Sequence, residues 1–225
     1  MIKNITNLGD TALYCDFGQD VNKETNSSVI KYFNKIQQLK IESINNITPS
    51  YNKLIISFDL KKIKYTELKD IIEKIQIDKE DSFKKKVIEI PICCEEPYSL
   101  DFIRLEEKLQ LSKEQILKNF FNKEYFCYMT GFIAGMPFLG DIDENLRTQR
   151  LETPRVKVPQ GSVGITEQFA NIYSFDSPGG WNIIGNTPLK VFDDSKERDP
   201  NLINPGDTVI FKKISRQEYE SSNDK

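Results

Sequence analysis

Gly131-Phe-Ile-Ala-Gly-Met-Pro-Phe-Leu-Gly140, Pro154-Arg-Val-Lys-Val-Pro-Gln-Gly-Ser-Val-Gly-Ile165, Ser177-Pro-Gly-Gly-Trp181 and Gly185-Asn-Thr-Pro188 punctuate one stretch of this chain, residues 131–207. That stretch holds nine of the eleven glycines, seven of the ten prolines and the single tryptophan. Glycine supplies positive φ, whereas proline fixes φ and removes a donor. Both at this density, between short apolar runs, make tight turns between brief strands or loops that approach a ligand closely. The pattern predicts a closed or nearly closed β-barrel.

Working outward, Glu124–Thr130 reads as a strand entering this region. Val156–Val158, Ser162–Ile165, Ala170–Phe175, Trp181–Gly185, Lys190–Phe192 and Thr208–Ile214 read as short strands within and after it. Glu218–Lys225 reads as a frayed polar tail. Upstream, Phe102, Leu105 and Leu109 share one helical face, and Ser112-x-x-Gln115 is a capping box for a helix ending near Phe121. The charged run Asp78–Lys86 suits a linker. Before it, Thr11–Phe17 reads as a strand and Asp20–Leu39 as a helix with Val29, Phe33 and Ile36 in its stripe. Ile41–Thr48 and Lys53–Leu60 read as two further strands. A second helix follows, capped by Thr66, with Leu68, Ile71, Ile72 and Ile75 as its apolar face. Lys85–Ile92 supplies a fourth strand. The order β-α-β-β-α-β is ferredoxin-like. The expectation is an α+β chain with a ferredoxin-like domain at 1–84 and a β-barrel domain at 85–225.

The chain has 225 residues and a net charge of −3, so nothing global points to nucleic acid. Its halves differ. Residues 1–86 carry fifteen lysines, no arginine and twelve acids, whereas residues 87–225 carry sixteen basic and twenty-two acidic residues. All six arginines therefore lie where rigid two-point recognition of carboxylate or phosphate would need them. Histidine is absent, which excludes a Ser-His-Asp or Cys-His nucleophile and a His-ligated metal. Cys15, Cys93, Cys94 and Cys127 form no C-x-x-C pair and read as reduced thiols. No signal peptide or membrane span is visible, so the expectation is a soluble cytoplasmic protein.

Gly161-Ser-Val-Gly164 resembles a short anion nest, although Gly-x-x-Gly is also ordinary in β-turns. Arg147, Arg150 and Arg155 precede it. Arg155 and Lys157 project from one face of a strand, which suits a phosphate or carboxylate and equally suits a solvated strand. Trp181 is either a wall against a ligand or a core residue behind a tight turn. Asp141, Asp143 and Glu144 lack the spacing of a calcium loop and read as a solvated turn, so no metal site is expected.

In order, G-F-x-x-G-x-P-F-L-G, P-R-x-x-V-P-x-G-S-V-G-I, I-Y, S-P-G-G-W, I-G-x-T-P and P-G-D resemble the family of the 5-oxoprolinase B component, also called allophanate hydrolase subunit 1 or KipI. The resemblance extends to Gly9-Asp10-x-Ala12-Leu13 and the Leu54–Asp59 strand. It implies a ferredoxin-like domain followed by a cyclophilin-like barrel. It also implies a stable partner, the 5-oxoprolinase C component, and a third protein, the A component, which together open 5-oxoproline to glutamate with ATP and Mg2+. A single chain would then be inactive alone. The positions matching the family are Arg155 and Arg150 as catalytic cations, with Ser162, Gly161, Gly164, Trp181 and Thr187 around substrate or nucleotide. The alternative implied by the same motifs is a KipI-type inhibitor of a sporulation histidine kinase. For Arg155, the expectation is a planar fork that holds a carboxylate or phosphate and whose loss impairs activity while stability shifts little; the alternative is a structural pair or a surface charge.

Overall fold

Asn4–Asn7 (β1) and Ala12–Asp16 (β2) open the chain as an antiparallel pair, with Ile5 opposite Cys15. The computed structural model describes residues 1–77 and 85–223, and the chain divides into two compact units, Met1–Lys84 and Lys85–Lys225. Most of the run read as a linker, residues 78–84, lies outside the described residues.

In the first unit, Lys23–Leu39 (α1), Ile44–Pro49 (β3), Lys53–Phe58 (β4) and Tyr65–Glu73 (α2) follow. The sheet has the order β1-β2-β4-β3 and is antiparallel throughout. Alternation decides its buried face. Leu13 and Cys15 of β2 and Leu54, Ile56 and Phe58 of β4 turn to one side, where Val29, Tyr32 and Ile36 of α1 and Leu68 and Ile72 of α2 cover them. Each large apolar side chain so buried contributes about 1.5–3 kcal/mol. α1 starts at Lys23 because the Asn22 side chain accepts from the Thr25 N–H at 2.8 Å. α2 starts one residue before Thr66, which is therefore not its cap. The Glu67 carboxylate accepts instead from the Lys64 N–H at 3.2 Å.

The expected β-α-β-β-α-β order is corrected here. The strand read at Lys85–Ile92 belongs to the second unit, and β1 takes the remaining place in the sheet. β1 buries only Ile5, so it carries no alternation that sequence reading can detect.

The second unit runs Val87–Cys93 (β5), Phe102–Leu109 (α3), Lys113–Phe121 (α4), Glu124–Thr130 (β6), Pro137–Gly140 (β7), Arg155–Val158 (β8), Ser162–Thr166 (β9), Phe169–Ile172 (β10), Ser177–Gly179 (β11), Asn182–Asn186 (β12), Thr208–Ile214 (β13) and Arg216–Asn223 (α5). Seven strands close a mixed barrel in the order β10-β7-β6-β13-β5-β12-β9, with β9 pairing back to β10. β5 and β13 run parallel, and every other barrel pair is antiparallel. Ile90, Ile92, Tyr125, Cys127, Leu139, Val163, Ile165, Ile172, Ile184, Val209 and Phe211 form its core. Phe102, Leu105, Ile116, Leu117 and Phe120 of α3 and α4 pack into that core, and the Ser112–Gln115 capping box holds the start of α4. β8 and β11 form a separate two-stranded sheet.

Two readings of the barrel region change. Lys190–Phe192 is no strand, since only an isolated bridge joins Phe192 to Asn201. The polar tail is helix α5 through Asn223. The Glu218 carboxylate accepts from the Ser215 N–H at 2.7 Å, and buried Tyr219 donates to Asn186 Oδ1 at 2.9 Å. A capping box and one aromatic anchor thus order a segment whose composition is otherwise that of a solvated end.

Candidate functional site

Arg155 opens β8, and its guanidinium reaches the Asp101 carboxylate just before α3. Nη2 donates to Asp101 Oδ1 at 2.5 Å, and Nη1 donates to the Trp181 carbonyl at 3.4 Å. The other oxygen of Asp101 accepts from the Ile183 N–H at 2.6 Å. Asp101 is buried, so this pairing answers the cost of desolvating its charge. Next to it, Arg104 Nη1 donates to Asn182 Oδ1 at 3.1 Å, while Asn182 Nδ2 donates to the Gln149 and Ile165 carbonyls. The Leu151 N–H donates to the Gly180 carbonyl at 2.7 Å, which lays the 149–151 segment along Ser177–Trp181. One polar network therefore locks the start of α3, the start of β12 and two loops around Arg155.

Arg155 therefore has the structural pair that stood as the alternative to an anion-holding fork. Two of the five N–H donors of a guanidinium are engaged here, leaving three toward a side chain that is 26 % exposed. Lys157, two residues on, is paired with Asp176 at 2.7 Å in the open.

Trp181 is half-buried and meets the Phe138 ring edge-on, with centroids 5.6 Å apart. It packs on a small apolar cluster of Met136, Val158, Tyr173 and Ile183. Trp181 is thus both a core residue and an accessible wall. Burial pushes the Tyr173 phenol above its usual pKa, against the opposing pull of hydrogen bonds from Asn171 and the Trp181 backbone and of the nearby Arg155 charge. The glycine at 179 follows from this packing, because a Cβ there would fall on the Tyr173 hydroxyl.

The Gly161–Gly164 turn is closed on itself. The Gly161 N–H donates to the Tyr173 carbonyl at 2.8 Å, Ser162 N–H to the Pro159 carbonyl at 3.2 Å, and Gly164 N–H to Asn171 Oδ1 at 3.1 Å. Donors spent in this way do not fit a phosphate. The glycine at 161 is required instead by its φ of +80° and by the Thr187 carbonyl, 2.5 Å from where a Cβ would stand. Ser162 and Thr187 are buried in the same wall. Arg150 is exposed beside Leu151 and makes no hydrogen bond or ion pair among the described residues.

The structure thus gathers Arg155 and Trp181, sets Arg150 at their border, and places Gly161, Ser162, Gly164 and Thr187 in the supporting wall. Sequence reading missed Asp101, Tyr173 and Asn171. Asp101 showed only as a residue before an apolar helical face, and Tyr173 only as part of the I-Y motif. Asp141 accepts from the Tyr128 hydroxyl at 3.0 and 3.2 Å, and Asp143 caps a short turn. Neither belongs to a metal-binding group among the described residues.

The chain is similar in fold to the K. lactis urea amidolyase, with a TM-score of 0.75 over 96 % of this chain and 15 % of that one. At 17 % identity the likeness is one of fold alone. Residues 3–203 match the carboxyltransferase domain, subdomain C and D, and the chain belongs to this family. It is 30 % identical over 230 residues to the 5-oxoprolinase B component of Bacillus subtilis, covering 96 % of this chain and 95 % of the relative. It is 31 % identical over 212 residues to the 5-oxoprolinase B component of Haemophilus influenzae, covering 92 % and 96 %. The resemblance drawn from the ordered motifs is borne out by these relatives.

Proposed function

We propose that this chain is the B component of a 5-oxoprolinase, a hydrolytic enzyme that opens the ring amide of 5-oxoproline to glutamate. The observation that carries the reading is the end-to-end similarity to two relatives of that name, at 30 and 31 % identity. An amide carbonyl is a weak electrophile, so coupling to ATP supplies the driving force by phosphoryl transfer. ATP, with Mg2+, is consumed by the assembled complex. The closed Gly161–Gly164 turn gives no reason to seat a phosphate on it.

Within this reading, Arg155 receives the carboxylate of the substrate through its remaining N–H groups, and the Trp181 ring forms the apolar wall beside the lactam. Arg150 adds positive charge at the margin. The chain has no histidine and shows no complete catalytic set among the described residues, which supports activity only in a complex with the A and C components. At the level of fold, the first unit is a variant of the ferredoxin-like arrangement and the second a cyclophilin-like barrel.

Co-expression with candidate A and C components, followed by assay of ATP-dependent glutamate release from 5-oxoproline, tests the proposal. Turnover by the three together and none by this chain alone is expected. Release of glutamate by the single chain, or no release by a correctly assembled complex, overturns it.

A further inference from the structure

β13 is only partly used as a strand. On one side it pairs with β5 along its whole length, from Thr208–Val87 to Ile214–Cys93. On the other side β6 pairs only with Thr208, Val209 and Ile210, because β6 begins at Glu124. The Thr208 N–H donates toward β5, to the Lys86 carbonyl, so even-numbered residues turn that way and odd-numbered ones turn the other. Beyond Ile210, the backbone groups of Phe211 and Lys213 therefore face away from β5 where no strand lies. Among the described residues no strand pairs that side beyond Ile210.

A cavity of about 570 Å3 runs along this open edge. Ile210, Phe211, Lys212 and Lys213 line it on one side, and α4 lines it on the other. Four consecutive strand residues border it, as expected of a groove that follows a strand edge, since side chains alone alternate between faces. Its α4 side offers the apolar Leu117 and Phe121. Its rim carries Lys113, Lys118, Lys212 and Lys213 against one acid, Glu114. Lys212 shares Glu89 at 3.4 Å, with both side chains more than half exposed, and Lys113 lies over the Phe102 ring. Lys118 and Lys213 have no carboxylate partner among the described residues. This positive groove is set in the acidic part of the chain, where residues 87–225 carry twenty-two acids against sixteen bases.

We infer that an extended acidic segment of a partner protein docks here by adding a strand to the Phe211–Lys213 edge. Its backbone completes the open hydrogen bonds, its carboxylates lie among the four lysines, and its apolar side chains rest on Leu117 and Phe121. Lysine on an exposed edge also wards off self-pairing. That duty accounts for Lys212 and Lys213 on the strand but not for Lys113 and Lys118 across the groove.

The test uses the full chain and a labelled peptide alternating glutamate with valine or isoleucine. Two control peptides are the same sequence N-methylated at alternate residues and a version with lysine for glutamate. The acidic peptide is expected to bind, to slow amide exchange at Phe211 and Lys213, and to bind about tenfold more weakly to Lys118→Glu/Lys213→Glu. Added salt weakens it further. The N-methylated and basic peptides do not bind. No binding of the acidic peptide at about 1 mM would leave the edge merely guarded and overturn the inference. Equal binding of the N-methylated peptide, or full competition by free glutamate, would replace the docked strand by a simple anion site and overturn it as well. All variants change exposed lysines, so folding does not confound the result.

Discussion

Removing Asp101 tests the centre of the site most directly. Its carboxylate is 5 % exposed and satisfies two donors at once, the Arg155 guanidinium and the Ile183 N–H. Asp101→Ala leaves both without a partner. Breaking a buried pair costs about 3–5 kcal/mol, but Arg155 at 26 % exposed recovers some hydration, so we expect about 2–4 kcal/mol. For a unit of this size that lowers the melting temperature by roughly 6–15 °C. Arg155→Gln should cost less, because Asp101 keeps the Ile183 N–H. A double-mutant cycle by urea denaturation should then give a coupling of about 1.5–3 kcal/mol between the two positions. Additivity within about 0.5 kcal/mol would refute the ion pair as the organiser of the network. The same cycle separates structure from function through Arg155→Lys, which keeps one charge but not the planar fork. If the fork also holds a substrate carboxylate, the reconstituted enzyme should lose about 10–100-fold in kcat/KM, mostly through KM, at temperatures where the variant is fully folded. Wild-type KM in that variant would confine Arg155 to its structural pair.

Gly179→Ala should destabilise the second unit by about 1–3 kcal/mol in thermal unfolding, and adding Tyr173→Phe should recover only part, because ring carbons also lie 2.7 Å from the new Cβ. Tyr219→Phe should cost about 1 kcal/mol by leaving Asn186 Oδ1 without its buried donor, and should speed amide exchange in α5 ahead of the barrel. All four cysteines are buried, so native protein should resist a thiol reagent near pH 8 and react fully once unfolded; rapid labelling of the native chain would contradict the packing. Burial also pushes Cys15 and Cys94 up to about 12 and raises Cys127. The unfolded chain releases those protons first, so their stabilisation is complete below about pH 8.5 and declines as pH rises toward 12, by about 1.4 kcal/mol per pH unit per thiol. The second unit holds three thiols raised by burial, Cys93, Cys94 and Cys127, against Cys15 in the first, so it should weaken with alkali more steeply than the first in reduced urea titrations.

What the sequence disclosed and what it withheld divide along physical lines. The strands at Glu124–Thr130 and Thr208–Ile214 and the Ser112–Gln115 cap were readable because each rests on neighbours in the chain, a run of aromatic and apolar residues or a side chain reaching a nearby N–H. β1, β7 and β11 were not, because each is three or four residues long and is defined by its partner strand. The strand at Lys85–Ile92 joins the barrel and not the first sheet for the same reason. Lys85–Ile92 has a strand pattern, but only its parallel pairing with β13, more than 120 residues later, decides which sheet it joins. Site residues followed the same rule. Arg155 and Trp181 stood out beside glycine and proline, whereas Asp101 acquires its role through a residue 54 positions away. Gly161–Gly164 failed in the opposite way, since its glycines serve close backbone packing and its donors point inward.

The groups around Trp181 bear on the proposal that this chain acts only in a complex. Arg155 donates to the Trp181 carbonyl and to Asp101, and Tyr173 packs in the same cluster as Trp181. The Arg155 guanidinium offers donors only and no acceptor. Both oxygens of Asp101 are taken, one by Arg155 and one by the Ile183 N–H, so neither faces a reacting atom. Burial holds the Tyr173 proton more tightly than in water, so the phenol stays neutral where enzymes of this kind work. On the proposed reading these residues bind and orient, and the general base is expected from a partner protein. In the reconstituted enzyme, Tyr173→Phe should then change the height of the pH–rate profile through packing while leaving both limbs in place. A limb that moves or vanishes in Tyr173→Phe would assign proton transfer to this chain and refute the division of labour.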